Sequence, residues 1–165
     1  MLDATQIFDG TLPSTGAAIT TTRVSTNIID LLSARDVGAG DPLGIHVQVI
    51  TAFTAGGAAT LRVALEVGAT AGGTFYSIIE TPLIPVAQLI AGEQIMRYAL
   101  PPNEVLNATT GVLNTPGRYL RLNYTVATGP MLTGTIFAYI NPRQDRQVFT
   151  AYPRGYTSYT DPDQI

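Results

Sequence analysis

The residues that could do acid, base, nucleophile or metal chemistry are few and scattered. The chain has one histidine, twelve Asp and Glu, and no Cys; all nine basic residues are Arg. A Ser/His/Asp triad would have to run through His46. That residue falls on the polar side of a predicted strand, and we expect a surface or interface histidine there. Glu66 and Glu80 both lie on predicted strands and could face each other as a glycosidase pair, but their expected state is two solvated, outward carboxylates. Asp36 and Asp41 sit near glycines without the regular ligand spacing of a calcium loop. No Gly-rich phosphate loop ending in Lys and no GxSxG elbow is present. Without Cys there is no disulfide, thiolate metal site or Cys nucleophile, and one His rules out sites built from two. No catalytic residue, metal or cofactor is expected, and the chain is not read as an enzyme.

Charge points the same way. Nine Arg against twelve acids give a net charge of -3 and a pI near 4.9. A general nucleic-acid binder needs a basic face to displace counterions, so no nucleic-acid partner is expected. The start, Met1-Leu2-Asp3-Ala4-Thr5-Gln6, lacks a basic segment followed by an apolar run, so no signal peptide is expected. No apolar stretch approaches a membrane span. Only 13% of residues are charged, and the mean hydropathy is +0.21. Two explanations stay open: a tight β-protein with a Thr-rich surface, or a surface largely covered by partners.

The elements that must position these residues are strands. Turn signals recur about every eight to twelve residues, as in sandwiches and barrels. A short strand-like run at 26–32 and a turn at 37–42 precede a strand from Leu43 to Phe53, with Leu43, Ile45, Val47 and Val49 on one face. Thr54-Ala55-Gly56-Gly57 reads as a hairpin loop. Residues 59–67 alternate Leu61, Val63, Leu65, Val67 against Thr60, Arg62, Ala64, Glu66, one face core and one wet. Strands follow at 74–81, 93–100, 118–126 and 131–140, with an edge strand or crossing connection at 83–90 and a long loop at 103–117. The expected fold is all-β: an antiparallel β-sandwich of about eight strands, most simply a jelly roll, with extended arms at both ends.

Three regions follow: an extended N-terminal arm at 1–22, the sandwich at 23–140 and an irregular C-terminal arm at 141–165. The second arm gathers Arg143, Arg146, Phe149, Tyr152, Arg154, Tyr156 and Tyr159. Arg and Tyr are enriched at the anchors of protein interfaces, so these residues are expected to meet a protein partner. Leu2, Ile7 and Phe8 are isolated apolar residues of the first arm and are expected at a partner interface. The arm itself is expected either to grip a neighbour, or to be plain disorder or an edge strand of its own sheet.

The run Thr26-Asn27-Ile28-Ile29-Asp30-Leu31, then Ala34-Arg35-Asp36-Val37-Gly38-Ala39-Gly40, resembles the capsid cement (decoration) proteins of tailed bacteriophages, of the jelly-roll type typified by a Bordetella phage. The likeness continues through Thr51–Gly57 and Arg118–Tyr124. It implies a protein on the outer surface of the phage head, made in the host cytoplasm, that self-associates and clamps neighbouring major capsid subunits. A homodimer is favoured and a homotrimer possible. Within the resembling run, Asn27, Asp30, Arg35, Asp36, Gly38 and Gly40 are expected to be structural loop anchors. The reading from another class is a carbohydrate-binding sandwich displayed on a virion, using Tyr76, Tyr98 and Tyr119 as an aromatic platform.

Overall fold

A computed structural model describes residues 4–12, 15–33, 43–100, 104–106 and 113–142. Four very short strands come first: β1 (Ile7–Asp9), β2 (Ala17–Ala18), β3 (Arg23–Val24) and β4 (Ile29–Asp30). The long elements are β5 (Leu43–Ala55), β6 (Thr60–Gly68), β7 (Phe75–Glu80) and, after the two-residue β8 (Ile84–Pro85), β9 (Gln94–Ala99). Then come β10 (Glu104–Leu106), β11 (Leu113–Pro116), β12 (Tyr119–Ala127) and β13 (Met131–Pro142).

They form two antiparallel sheets packed into a β-sandwich. The first runs β1-β13-β5-β9, with β2 also on β13; the second runs β3-β12-β6-β7, with β4 on β12 and β8 on β6. The period-2 pattern sets the register. In the second sheet Leu61, Val63, Leu65 and Val67 stand opposite Val126, Tyr124, Leu122 and Leu120. In the first, Ile45, Val47 and Val49 stand opposite Ile140, Ala138 and Ile136. These rows face each other across the sandwich and form its core. Each fully buried Leu, Ile or Val among them contributes about 1.5–3 kcal/mol relative to leaving it exposed.

The connections β5–β6, β7–β9 and β12–β13 each pass from one sheet to the other. The turn at Thr54–Gly57 is therefore a corner between sheets and not the expected hydrogen-bonded hairpin. Close packing at this end needs a glycine at position 134: its φ is +133°, and a Cβ there would overlap the Phe53 ring.

Two further expectations are corrected. Within the stretch read as a loop at 103–117, β10 and β11 pair as a separate two-stranded ribbon. The stretch read as an N-terminal arm is built into the sandwich: β1 and β2 both pair with β13. Two- and three-residue strands are too short to show a period, which is why composition alone made this stretch look like an arm.

Candidate functional site

The N-terminal edge of the sandwich is sealed by polar anchors. Ile7 and Phe8 are buried, Phe8 completely. They are part of the chain's own core and not the partner contacts expected of an arm. Beside them the Asp9 carboxylate is wholly buried and accepts from Arg23 Nη2 at 3.0 Å, Thr26 Oγ1 at 2.7 Å and the Thr26 N–H at 3.2 Å. A carboxylate can be buried only with such donors around it.

The next residues continue the seal. The Asn27 amide donates to the Ile7 carbonyl at 3.1 Å, and its backbone N–H donates to the Phe8 carbonyl at 3.0 Å. Ser25 Oγ donates to the Asn27 carbonyl at 2.8 Å and accepts from the Leu122 N–H at 3.0 Å. Ser25, Thr26 and Asn27 thus tie β1 to β12 across the sandwich edge.

Asp30 closes the same edge lower down through a two-pronged pair with Arg118, at 2.7 Å to Nε and 2.8 Å to Nη2. The bond from Arg118 holds the Asp30 carboxyl below its ordinary range. Asn27 and Asp30 are structural anchors in this arrangement. Arg35, Asp36, Gly38 and Gly40 lie outside the described residues, as do Leu2, Arg143, Arg146, Phe149, Tyr152, Arg154, Tyr156 and Tyr159.

Tyr124 sits against this cluster, fully buried, with the Arg23 guanidinium 5.3 Å from its ring centroid. Its hydroxyl lies in the field of Asp9 but has no hydrogen-bond partner of good geometry. Burial, then the Asp9 charge, pushes its ionisation well above the usual tyrosine range.

The two outer faces differ from expectation. On the second sheet Glu66 is not solvated: it is nearly buried, and accepts from Arg121 Nε at 2.7 Å and Asn123 Nδ2 at 2.8 Å. The Arg121 guanidinium lies 3.9 Å from the Phe75 ring centroid. Glu80 pairs instead with Arg62 at 3.5 Å, so the two glutamates do not form a carboxylate pair.

On the first sheet His46 is buried within the sandwich's own outer face, against the expectation of a surface or interface histidine. It stacks on Tyr139, its cross-strand neighbour, with centroids 5.1 Å apart and planes 14° apart. Burial, then the charge of Arg97 on its other flank, lowers its pKa. Aromatic rings and long Arg side chains lie flat on these outer faces and exclude water from residues that simple alternation places outside.

The opposite edge is plainer. In the first sheet it is β9, which among the described residues pairs with β5 alone. Arg97 and Tyr98 are exposed there, and Glu93 is exposed just before the strand.

The aromatic platform is not assembled: Tyr76 and Tyr119 belong to the second sheet and Tyr98 to the first. Among the described residues no group of three His, Cys, Asp or Glu side chains gathers in a way that could hold a metal.

Fold and edges define the class: a two-sheet β-sandwich whose polar residues lock its own strands together. More specifically, the chain belongs to the Bbp16 family, whose model matches residues 13–140 and which is named after a Bordetella phage protein. No curated protein matches it.

Proposed function

We propose that this is a virion structural protein: a capsid cement protein on the outer surface of a tailed-phage head. Each copy self-associates and clamps neighbouring major capsid subunits. The observation that carries this reading is membership of a phage-protein family over residues 13–140, most of the sandwich. The polar clusters support it, because Asp9, Arg23, Thr26, Asn27, Asp30, Arg118, Glu66 and Arg121 are spent on holding strands together. So does the surface, where Leu12, Leu32, Leu83, Ile90 and Leu132 are each at least half exposed, leaving apolar area for a shell to cover.

The mechanism is linkage. A protein that binds only the assembled shell stabilises that state by its binding free energy, and several modest contacts per copy add through avidity. The sandwich serves as a stiff bridge, since a strand cannot slide without exposing its buried row.

The test compares phage heads with and without the protein. Complete heads should survive heating and osmotic shock that open stripped ones, and a density map should place the chain on the outer surface. Equal resistance of both, or a location inside the head or in the tail, would overturn the proposal.

A further inference from the structure

The two outer faces of the sandwich carry different chemistry. The second sheet holds Arg62, Glu66, Glu80 and Arg121 on its outer side, joined in two ion pairs, and Asp30 pairs with Arg118 at its edge. The first sheet is built largely from stretches without charge. Residues 10–22, 43–60 and 128–142, which supply β2, β5 and β13, contain no Asp, Glu, Lys or Arg. Part of this face is covered by the chain itself. His46 and Phe137 are buried, and Gly10 and Gly16 pack so closely on the face that a Cβ on either would overlap the Phe137 ring or Thr135. The end next to the β5–β6 corner is left open: Thr51, Ala52, Thr54, Leu132 and Thr133 are exposed there, Leu132 to 63%.

The hydroxyls of this open patch are already used within the sheet. Thr133 Oγ1 donates to the Ala52 carbonyl at 3.4 Å and lies 2.7 Å from Thr54 Oγ1. Thr135 Oγ1 accepts from the Thr51 N–H at 3.1 Å. Polar groups that keep their partners lose little when water leaves. The patch therefore presents threonine methyls, Ala52 and the Leu132 side chain, and it can be dried at low cost.

We infer that this patch is the self-association surface, laid face to face on the same patch of a second copy across a two-fold axis. This rests on the self-association in the function proposed above and names its surface. In a two-fold contact a surface meets itself, so a charge near the axis is brought against its own copy and repelled. A charge-free patch escapes that repulsion, and the outer side of the second sheet does not. The charge on β9 is distant: Arg97 stands opposite His46, eight residues along β5 from Thr54, or roughly 26 Å. A neutral patch also has no charge with which to select an unlike partner, whereas its own copy matches it in being flat, apolar and already hydrogen-bonded. Leu32 and Leu83, which flank strands of the second sheet, stay available for the shell.

The test is sedimentation equilibrium of the full-length protein, with circular dichroism as a check on folding. Wild type should be a dimer. Leu132→Glu and Ala52→Arg, both at exposed positions, should each weaken it by about tenfold or more, because each sets an unpaired charge in the dry contact. Leu132→Met should keep the dimer, and so should Arg62→Ala on the other face. A monomeric wild type, a dimer that both charge variants leave unchanged, or a dimer weakened as much by Arg62→Ala would overturn the inference. Binding to phage heads is measured separately. A wild-type dimer that fails to bind heads would defeat the cement function and leave this surface standing. A monomer whose head binding is lost in Leu132→Glu would give the patch to the shell and defeat the inference.

Discussion

The two lateral edges of the sandwich use charge in opposite ways. At the N-terminal edge Asp9, Arg23, Thr26, Asn27, Asp30 and Arg118 are consumed in bonds within the chain. At the β9 edge Glu93 and Arg97 stand exposed, with no ion pair among the described residues. The first edge is made of strands of two or three residues that could not hold by backbone bonds alone. The second is a six-residue strand, bulged at Ile95, that pairs with β5 along its length. Side-chain anchoring is concentrated where the backbone ladder is shortest.

This contrast can be broken most directly at Asp9. Asp9→Ala strands the Arg23 guanidinium and the Thr26 donors, and should cost about 3–5 kcal/mol, measured by urea denaturation. The corresponding change at the open edge, Arg97→Ala, should stay within about 0.5 kcal/mol at high dilution, where single chains are measured. If the two losses were similar, the edges would not differ as described. An intermediate effect belongs to the middle of the second sheet. Glu66→Gln weakens the bonds to Arg121 and Asn123 and should cost about 1–2 kcal/mol on the same assay.

A smaller effect tests the face beside the open edge. The folded state lowers the pKa of His46, chiefly by burial, so folding favours the neutral ring. Its contribution is fully present above the unfolded value of 6.5 and is lost as pH falls through the lowered value. The urea midpoint should therefore drop between about pH 7.5 and pH 5.5, and His46→Gln should flatten that drop. His46 is the chain's one histidine, which makes the comparison clean.

Smallest is the Asp30–Arg118 pair at the sealed edge. Its pairing lowers the Asp30 pKa from 3.8, so its contribution holds above that value and fades as pH falls through the lowered one. Asp30→Asn should remove only this acid-limb dependence.

Much of the fold was legible and little of the edge chemistry was. Leu61 to Val67 and Leu120 to Val126 alternate over enough residues to announce paired strands. Phe8 and Asp9 lie in a three-residue strand with no period to read. The Asp9–Arg23 bond joins positions whose neighbourhood is settled only when β1 and β3 come together on opposite sheets. Glu66 and His46 obey the alternation, but their burial depends on Arg121 and Tyr139 from neighbouring strands. The motif around Asn27 and Asp30 was recognisable by its unusual composition. Its role as a set of ties from β12 to β1 could be seen only once both strands were placed.

The order of strands in the first sheet also fixes when the protein can come into being. β13 lies between β1 and β5, so the earliest and the central strands of that sheet are joined only through residues 131–142. A nascent chain must carry Ile7 and Phe8 unsheltered until β13 leaves the ribosome. The sheet then closes in one late, long-range step, slower than folding from local contacts. Closure of the first sheet therefore waits for residues 131–142.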